Sequence, residues 1–170
     1  STTLERPVDD LVVAAVDSGR PLLVLVDIAD PGNVGTLLRA AESSGCGGVV
    51  LAGSGVDLYN PKVVRASAGS LFRLPVATAP DVGALQVAIA ELGVPMIAAV
   101  ARDGVPHLEA PLGGPVAIVL GNEAHGLSED VVAACDAAVT ITMDGPAESL
   151  NVAMAGTVLC FEALRRRRSH

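Results

Sequence analysis

Aromatic side chains are almost missing from this chain: it has no tryptophan, one tyrosine and two phenylalanines in 170 residues, although 51% of its residues are hydrophobic. Its core must therefore be built from valine, leucine, isoleucine and alanine, a composition that suits strands buried on both faces of a parallel sheet. That apolar content excludes disorder, and the length fits one domain with a full core. No apolar run approaches the roughly 20 residues of a membrane-spanning helix. Nor does a charged start lead into the apolar stretch of a signal peptide. The expectation is a soluble, cytoplasmic protein with no membrane partner.

Cysteine is scarce as well. Cys46, Cys135 and Cys160 are odd in number and far apart, without the paired spacing of a zinc or redox motif. They read as small buried apolar residues in a reducing compartment. Positive charge is also short: 11 Lys and Arg against 19 Asp and Glu leave a net charge of −8. Taken alone this argues against nucleic acid, because cationic side chains drive phosphate binding. Placement counts for more than totals, however. Arg39, Lys62, Arg65 and Arg73 fall in the first half, while Arg165 to Arg168 form a terminal run. That run either complements the negative pole of the last helix in solvent or contacts RNA.

What is present is a regular alternation. Apolar runs bounded by Gly or Pro read as strands at Leu22 to Ile28, Gly48 to Ala52, Leu71 to Ala77, Pro95 to Val100, Val116 to Leu120 and Ala137 to Met143. Helices are expected between them. Val34 to Ser44 puts Val34, Leu37, Leu38 and Ala41 on one face before Gly45. Asn60-Pro61 opens a short helix, Asp81 to Leu92 stops at Gly93, and Ser128 caps Val131 to Cys135. Residues 1–20 read as a loose lead and a short helix from about Pro7 to Val16, and residues 21–170 as the main domain. The last helix, from about Ser149 to Arg165, is apolar nearly all round and expects burial on more than one side. The pattern predicts an α/β fold, a parallel sheet flanked by helices, with ligand-binding loops at the strand C-termini.

Three of those loops carry polar residues beside glycine: Asn33-x-Gly35-x-x-x-Arg39, then Gly121-Asn122-Glu123-x-x-Gly126-Leu127-Ser128, then Ser149-Leu150-Asn151-Val152. In this order they resemble the three signature motifs of the SpoU/TrmH branch of the SPOUT RNA methyltransferases, over roughly residues 22 to 165. Residues Asn60 to Ser70 also look like that family's segment between the first two motifs. The resemblance implies a C-terminal trefoil knot and a homodimer whose sites are completed at the subunit interface; because the final helix is apolar on too many faces for one small domain, the first and last helices are expected in that interface. It implies methyl transfer from S-adenosylmethionine to a ribose 2′-hydroxyl of RNA, with ribosomal RNA favoured over transfer RNA. Many relatives carry an RNA-binding domain ahead of the catalytic one. The chain has no room for it, so the expectation is a minimal member or a catalytic domain on its own.

The resemblance also assigns residues. Asn33, Arg39, Glu123, Ser149 and Asn151 are the catalytic candidates. Arg39 carries a base role in the family, which sits awkwardly with a guanidinium that essentially never deprotonates in proteins. A bidentate grip on phosphate that orients the hydroxyl is physically easier, and an ion pair with Glu42 is the bland alternative. Asn33 either fixes a ribose or forms an Asx turn, or both. Glu123 either holds Arg39 or substrate, or is an exposed loop acid. Ser149 suits a helix cap first and a ligand contact second, whereas Asn151 is a poor helix-interior residue whose presence points to a specific bond. His125 stands where family members vary. The cofactor is expected against Ala98, Ala99, Val100 and Ala101, against Leu120, Gly121 and Asn122, and against Ile141, Met143, Ser149 and Leu150. Arg65, Ser67 and Gly69 either contact RNA phosphate or are surface decoration. No metal is needed, and His107, His125 and His170 are scattered.

Two other readings compete. A nucleotide-binding oxidoreductase fails because Gly32-x-x-Gly35 is not the three-glycine fingerprint and no acid ends the second strand. A non-catalytic RNA-binding module that keeps the cofactor fold is the other, and the joint presence of Asn33, Arg39, Glu123, Ser149 and Asn151 argues against it.

Overall fold

In the computed structural model, which describes residues 5–169, seven strands form one sheet in the order β3-β2-β1-β6-β4-β7-β5, every neighbouring pair parallel. The strands are β1 (Leu22–Val26), β2 (Gly48–Ala52), β3 (Val76–Ala79), β4 (Met96–Ala99), β5 (Val105–Pro106), β6 (Ala117–Leu120) and β7 (Ala137–Thr140). The two central strands, β1 and β6, are buried at every position, which is why they read as unbroken apolar runs rather than alternating ones.

The helices are α1 (Val8–Ser18), α2 (Pro31–Ser44), α3 (Pro61–Ala66), α4 (Val82–Glu91), α5 (Glu129–Ala134) and α6 (Val152–Arg168). They split between two apolar layers. Leu23, Leu25, Val49, Ile97 and Ile118 face α2, α3 and α6, while Leu22, Val24, Val50, Met96 and Val119 face α1, α4 and α5. Asn60, Asp81 and Ser128 cap α3, α4 and α5 through their side chains, as their sequence positions predict.

Four local expectations are corrected. First, α2 begins at Pro31 and not at Val34: the Asp30 carboxylate accepts from the Gly32 and Asn33 N–H groups and Pro31 supplies the first helical φ, so Asn33 lies in the first turn. Second, the run Leu71 to Ala77 divides into a 3-10 turn, Ser70–Phe72, and β3. Leu71 and Leu74 turn inward, and pairing starts only after Pro75, which has no N–H to give. Third, β5 had no counterpart in the pattern. Fourth, α6 starts at Val152 with Asn151 as its cap, not Ser149. Its outer face is open, with Met154, Val158 and Phe161 exposed, so the expected burial on several sides is not reached within one chain. The loose lead falls partly on residues 1–4, and His170 ends the chain; both lie outside the described residues.

Candidate active site

The C-terminal ends of β1, β6 and β7 open into three loops, and side chains of the middle one tie it to the first. Asp30 uses its carboxylate to cap α2, which leaves its own N–H free to donate to Glu123 Oε1 at 2.9 Å; the Ala29 N–H donates to Oε2 at 3.2 Å. Asn33 Nδ2 reaches the same carboxylate at 3.5 Å, a long contact. Beside it, Asn122 Nδ2 donates to the Asp27 carbonyl at 2.8 Å, where β1 ends in a left-handed residue (φ 53°). Asn122 Oδ1 accepts from the Ala124 and His125 N–H groups at 2.9 and 3.1 Å, which folds the loop back on itself. The return is so tight that a Cβ on Gly121 would lie 2.4 Å from the Gly126 carbonyl carbon.

The third loop joins through Asn151. Its Oδ1 accepts from Ala153 N–H at 2.8 Å and Met154 N–H at 3.4 Å, capping α6, and its Nδ2 reaches Asn33 Oδ1 at 3.4 Å. One short polar side chain thus starts the helix and faces the first loop. Farther back, the Thr142 N–H donates to His107 Nδ1 at 3.2 Å and fixes where the third loop leaves the sheet. Burial raises the Glu123 carboxyl, but hydrogen bonds from the backbone N–H groups of Asp30, Glu123 and Ala29 and from the Asn33 amide outweigh it and hold the group below the ordinary carboxylate value.

Between the second and third loops lies a cavity of about 340 Å³. Its floor is apolar: Leu120, Val139, Ile141, Leu150, Val152 and Leu159. Its rim is made by Ala99 to Ala101, the Gly121 to Gly126 loop, Met143 and Ser149. The size, and an apolar floor under a polar rim, fit a nucleoside-sized ligand. Gly121 lines the cavity with backbone alone, the place of its missing side chain being taken by the returning Gly126-Leu127 backbone.

Of the residues expected at the cofactor, Ala99, Val100, Leu120, Gly121, Asn122, Ile141, Met143, Ser149 and Leu150 line this cavity. Ala98 does not, being fully buried inside β4. Ser149 stands in the wall and is no cap. Asn33 and Asn151 sit together at the mouth of α6, and Glu123 holds the first loop and not Arg39. Arg39 is exposed on α2 outside the cavity wall. Among the described residues it makes no ion pair, because Glu42 is taken by Arg73 Nε and Nη2. Arg65 is exposed, but Ser67 is fully buried and donates to the Val64 carbonyl at 3.0 Å, so the structure removes it as an RNA contact. Sequence reasoning missed Val152, Ala155 and Leu159. They follow the helical spacing that marks one face of α6, and a correct starting point for that helix would have exposed the stripe.

The model of the SpoU rRNA Methylase family matches residues 20–161. A 23S rRNA (uridine(2479)-2'-O)-methyltransferase of Streptomyces viridochromogenes is 34% identical over 169 residues, covering 96% of this chain and 59% of its own length. The structure of an AdoMet-bound rRNA methyltransferase from Sinorhizobium meliloti superimposes with a TM-score of 0.87 at 31% identity, over 95% of this chain and 60% of that one. A structure describing 2-OH methylation of C/U34 on tRNA gives a TM-score of 0.82 at 28% identity, over 89% of this chain and 99% of that one. The chain thus spans just under 60% of the Streptomyces relative. With the family's pattern matched across most of its length and the sheet superimposing on solved members, the chain belongs to the SpoU rRNA Methylase family.

Proposed function

We propose that this chain is an S-adenosylmethionine-dependent methyltransferase acting on a ribose 2′-hydroxyl of RNA, with ribosomal RNA the favoured substrate. The observation that carries the reading is the joining of three loops around one apolar cavity by Glu123, Asn122, Asn33 and Asn151. When bound, the cofactor supplies a methyl group already activated by a sulfonium charge. The chain's task is then alignment and removal of the hydroxyl proton. Leu120, Ile141, Leu150 and Leu159 exclude water from the methyl's surroundings. The Asn33 and Asn151 amides present donors and acceptors to the ribose edge at the α6 mouth. Arg39 grips an RNA phosphate bidentately and orients the hydroxyl.

Arg39 lies outside the cavity of its own chain, which supports completion of the site by a second copy. We place that contact on the outer stripe of α6, Met154, Val158 and Phe161, which are 55%, 36% and 43% exposed. The first helix, also expected in that interface, lies on the opposite face of the sheet from α6 within one chain. Light scattering tests the dimer: the expected mass is twice 17.1 kDa, and a monomer at micromolar concentration would refute it. The knot belongs to the same reading. It is supported by the segment after β4, which contacts both the exit of β7 (His107 with Thr142) and the end of α6 (Arg166 with the Leu108 carbonyl). We also place the protein in the cytoplasm, where its RNA would be.

Transfer RNA is the second reading, favoured by the likeness, at a TM-score of 0.82, to the structure that describes 2-OH methylation of C/U34 on tRNA. Site-resolved 2′-O-methylation mapping of total RNA incubated with the protein and S-adenosylmethionine separates the two. Modification of one ribosomal nucleotide supports the first and of a tRNA anticodon nucleotide the second; no 2′-O-methylation in either would refute both.

A further inference from the structure

All three aromatic side chains of the chain are outside its core: Tyr59 is 45%, Phe72 61% and Phe161 43% exposed. Phe161 belongs to the α6 stripe already assigned. Phe72 has no such explanation. It ends the 3-10 turn Ser70–Phe72, whose neighbours Leu71 and Leu74 are buried and anchor the turn, so the ring is held outward on a rigid base.

Its surroundings are fixed by α2. Gly35, Arg39 and Glu42 lie on one stripe of that helix, four and three residues apart. At Gly35 the α3 segment packs so closely that an added Cβ would fall 2.3 Å from Ala66 Cβ. At Glu42 the stripe is clamped by Arg73, the residue after Phe72. Arg39 therefore projects between α3, which presents exposed Lys62 and Arg65, and the turn that carries Phe72. On an acidic chain, this collects three cations without a carboxylate partner among the described residues and one exposed aromatic face.

We infer that Phe72 stacks on an unpaired nucleobase next to the ribose that Arg39 orients, with Lys62 and Arg65 on the adjoining phosphates. The occupant is single-stranded RNA: cations beside a π-face match a strand whose bases are splayed out, and a paired duplex hides those faces. The inference rests on the proposed RNA methylation but is tested without turnover. In fluorescence anisotropy with a labelled single-stranded oligoadenylate, Phe72→Ala and Phe72→Leu should each weaken binding about tenfold, the scale of one base–aromatic stack. Phe72→Trp should restore it. Binding of a duplex RNA of the same length, the affinity for S-adenosylmethionine and the mass by light scattering should not change. Equal binding by wild type and Phe72→Ala would overturn the inference, as would rescue by leucine, which marks an apolar cover. A change of mass in Phe72→Ala would do so too, marking a subunit contact. Failure of methylation with this binding pattern intact would sink the proposed activity and leave the stack standing.

Discussion

A few residues here carry two jobs at once, and their substitutions separate the jobs. Arg39 is exposed, unpaired among the described residues and off the cavity wall, so Arg39→Ala should abolish methyl transfer and leave S-adenosylmethionine affinity within a few-fold. Arg39→Lys should rescue poorly, because a point charge does not replace a planar fork. Single-turnover transfer beside calorimetric cofactor binding checks both. Glu123 gives a pH prediction. Its carboxyl is held below its ordinary value near 4.5, so it binds fewer protons folded than unfolded. Its contribution is complete above that value and disappears as pH falls through the lower, folded one. Glu42 and Glu162, held down by Arg73 and Arg165, share the sign. Urea melts across the acid range should show wild type losing stability more steeply than Glu123→Gln, with part of the loss remaining in the variant. At this scale the sequence was legible where chemistry is distinctive, as at Asn151, whose expected specific bond is the α6 cap; the Asx turn expected at Asn33 is made by Asp30 instead. It was ambiguous where two residue types share a capability: a serine and an asparagine can each cap a helix, and local pattern does not say whether Ser149 or Asn151 is delivered to the helix mouth. Ser67 looked polar and available, yet its hydroxyl serves only its own helix turn.

Elements turn these residues into a site through two helix junctions. Where α2 meets α3, Gly35 leaves no space for a side chain: an added Cβ would also lie 2.8 and 2.9 Å from backbone atoms of Ala66 and Ser67. Backbone cannot swing aside as a leucine tip can, so Gly35→Ala should cost about 1–3 kcal/mol despite alanine's better helix propensity. The cost should appear in the urea midpoint with an unchanged slope. At the other junction, Asn151→Ala removes the α6 cap and should cost about 1 kcal/mol by the same measurement. Asn151→Asp keeps the accepting oxygen, so it should keep the cap and lose the amide contact to Asn33, retaining stability while losing activity. Element type was readable from runs and caps, and β2 matched its expected span to the residue. β5 was not readable, because two residues that include a proline carry no alternation. The division of Leu71 to Ala77 escaped notice because the inward turn of Leu71 and Leu74 depends on what lies beneath them.

At the level of the whole molecule, alternation predicted a parallel sheet and put the loops at one end, which is how three distant motifs were expected to meet. Which helix covers which face was hidden. That assignment follows from crossovers, and it puts α1 and α6 on opposite faces of the sheet. Strand order was hidden too, and it bears on how the chain is made. β6 sits between β1 and β4, and β4 has no neighbour except β6 and β7, both encoded after residue 116. A nascent chain leaving the ribosome therefore has five of its strands in hand while the centre of the sheet is still unsynthesised, and β4 and β5 must wait unpaired. Non-local pairing of this kind is slow and leaves apolar edges open meanwhile. A fragment ending at Pro115 should be digested by protease within minutes under conditions that leave the full chain intact, and stalled chains should bind holdase chaperones until the last third emerges. On the proposed activity, a protein that modifies RNA would then depend for its own birth on the order in which its strands are read from one.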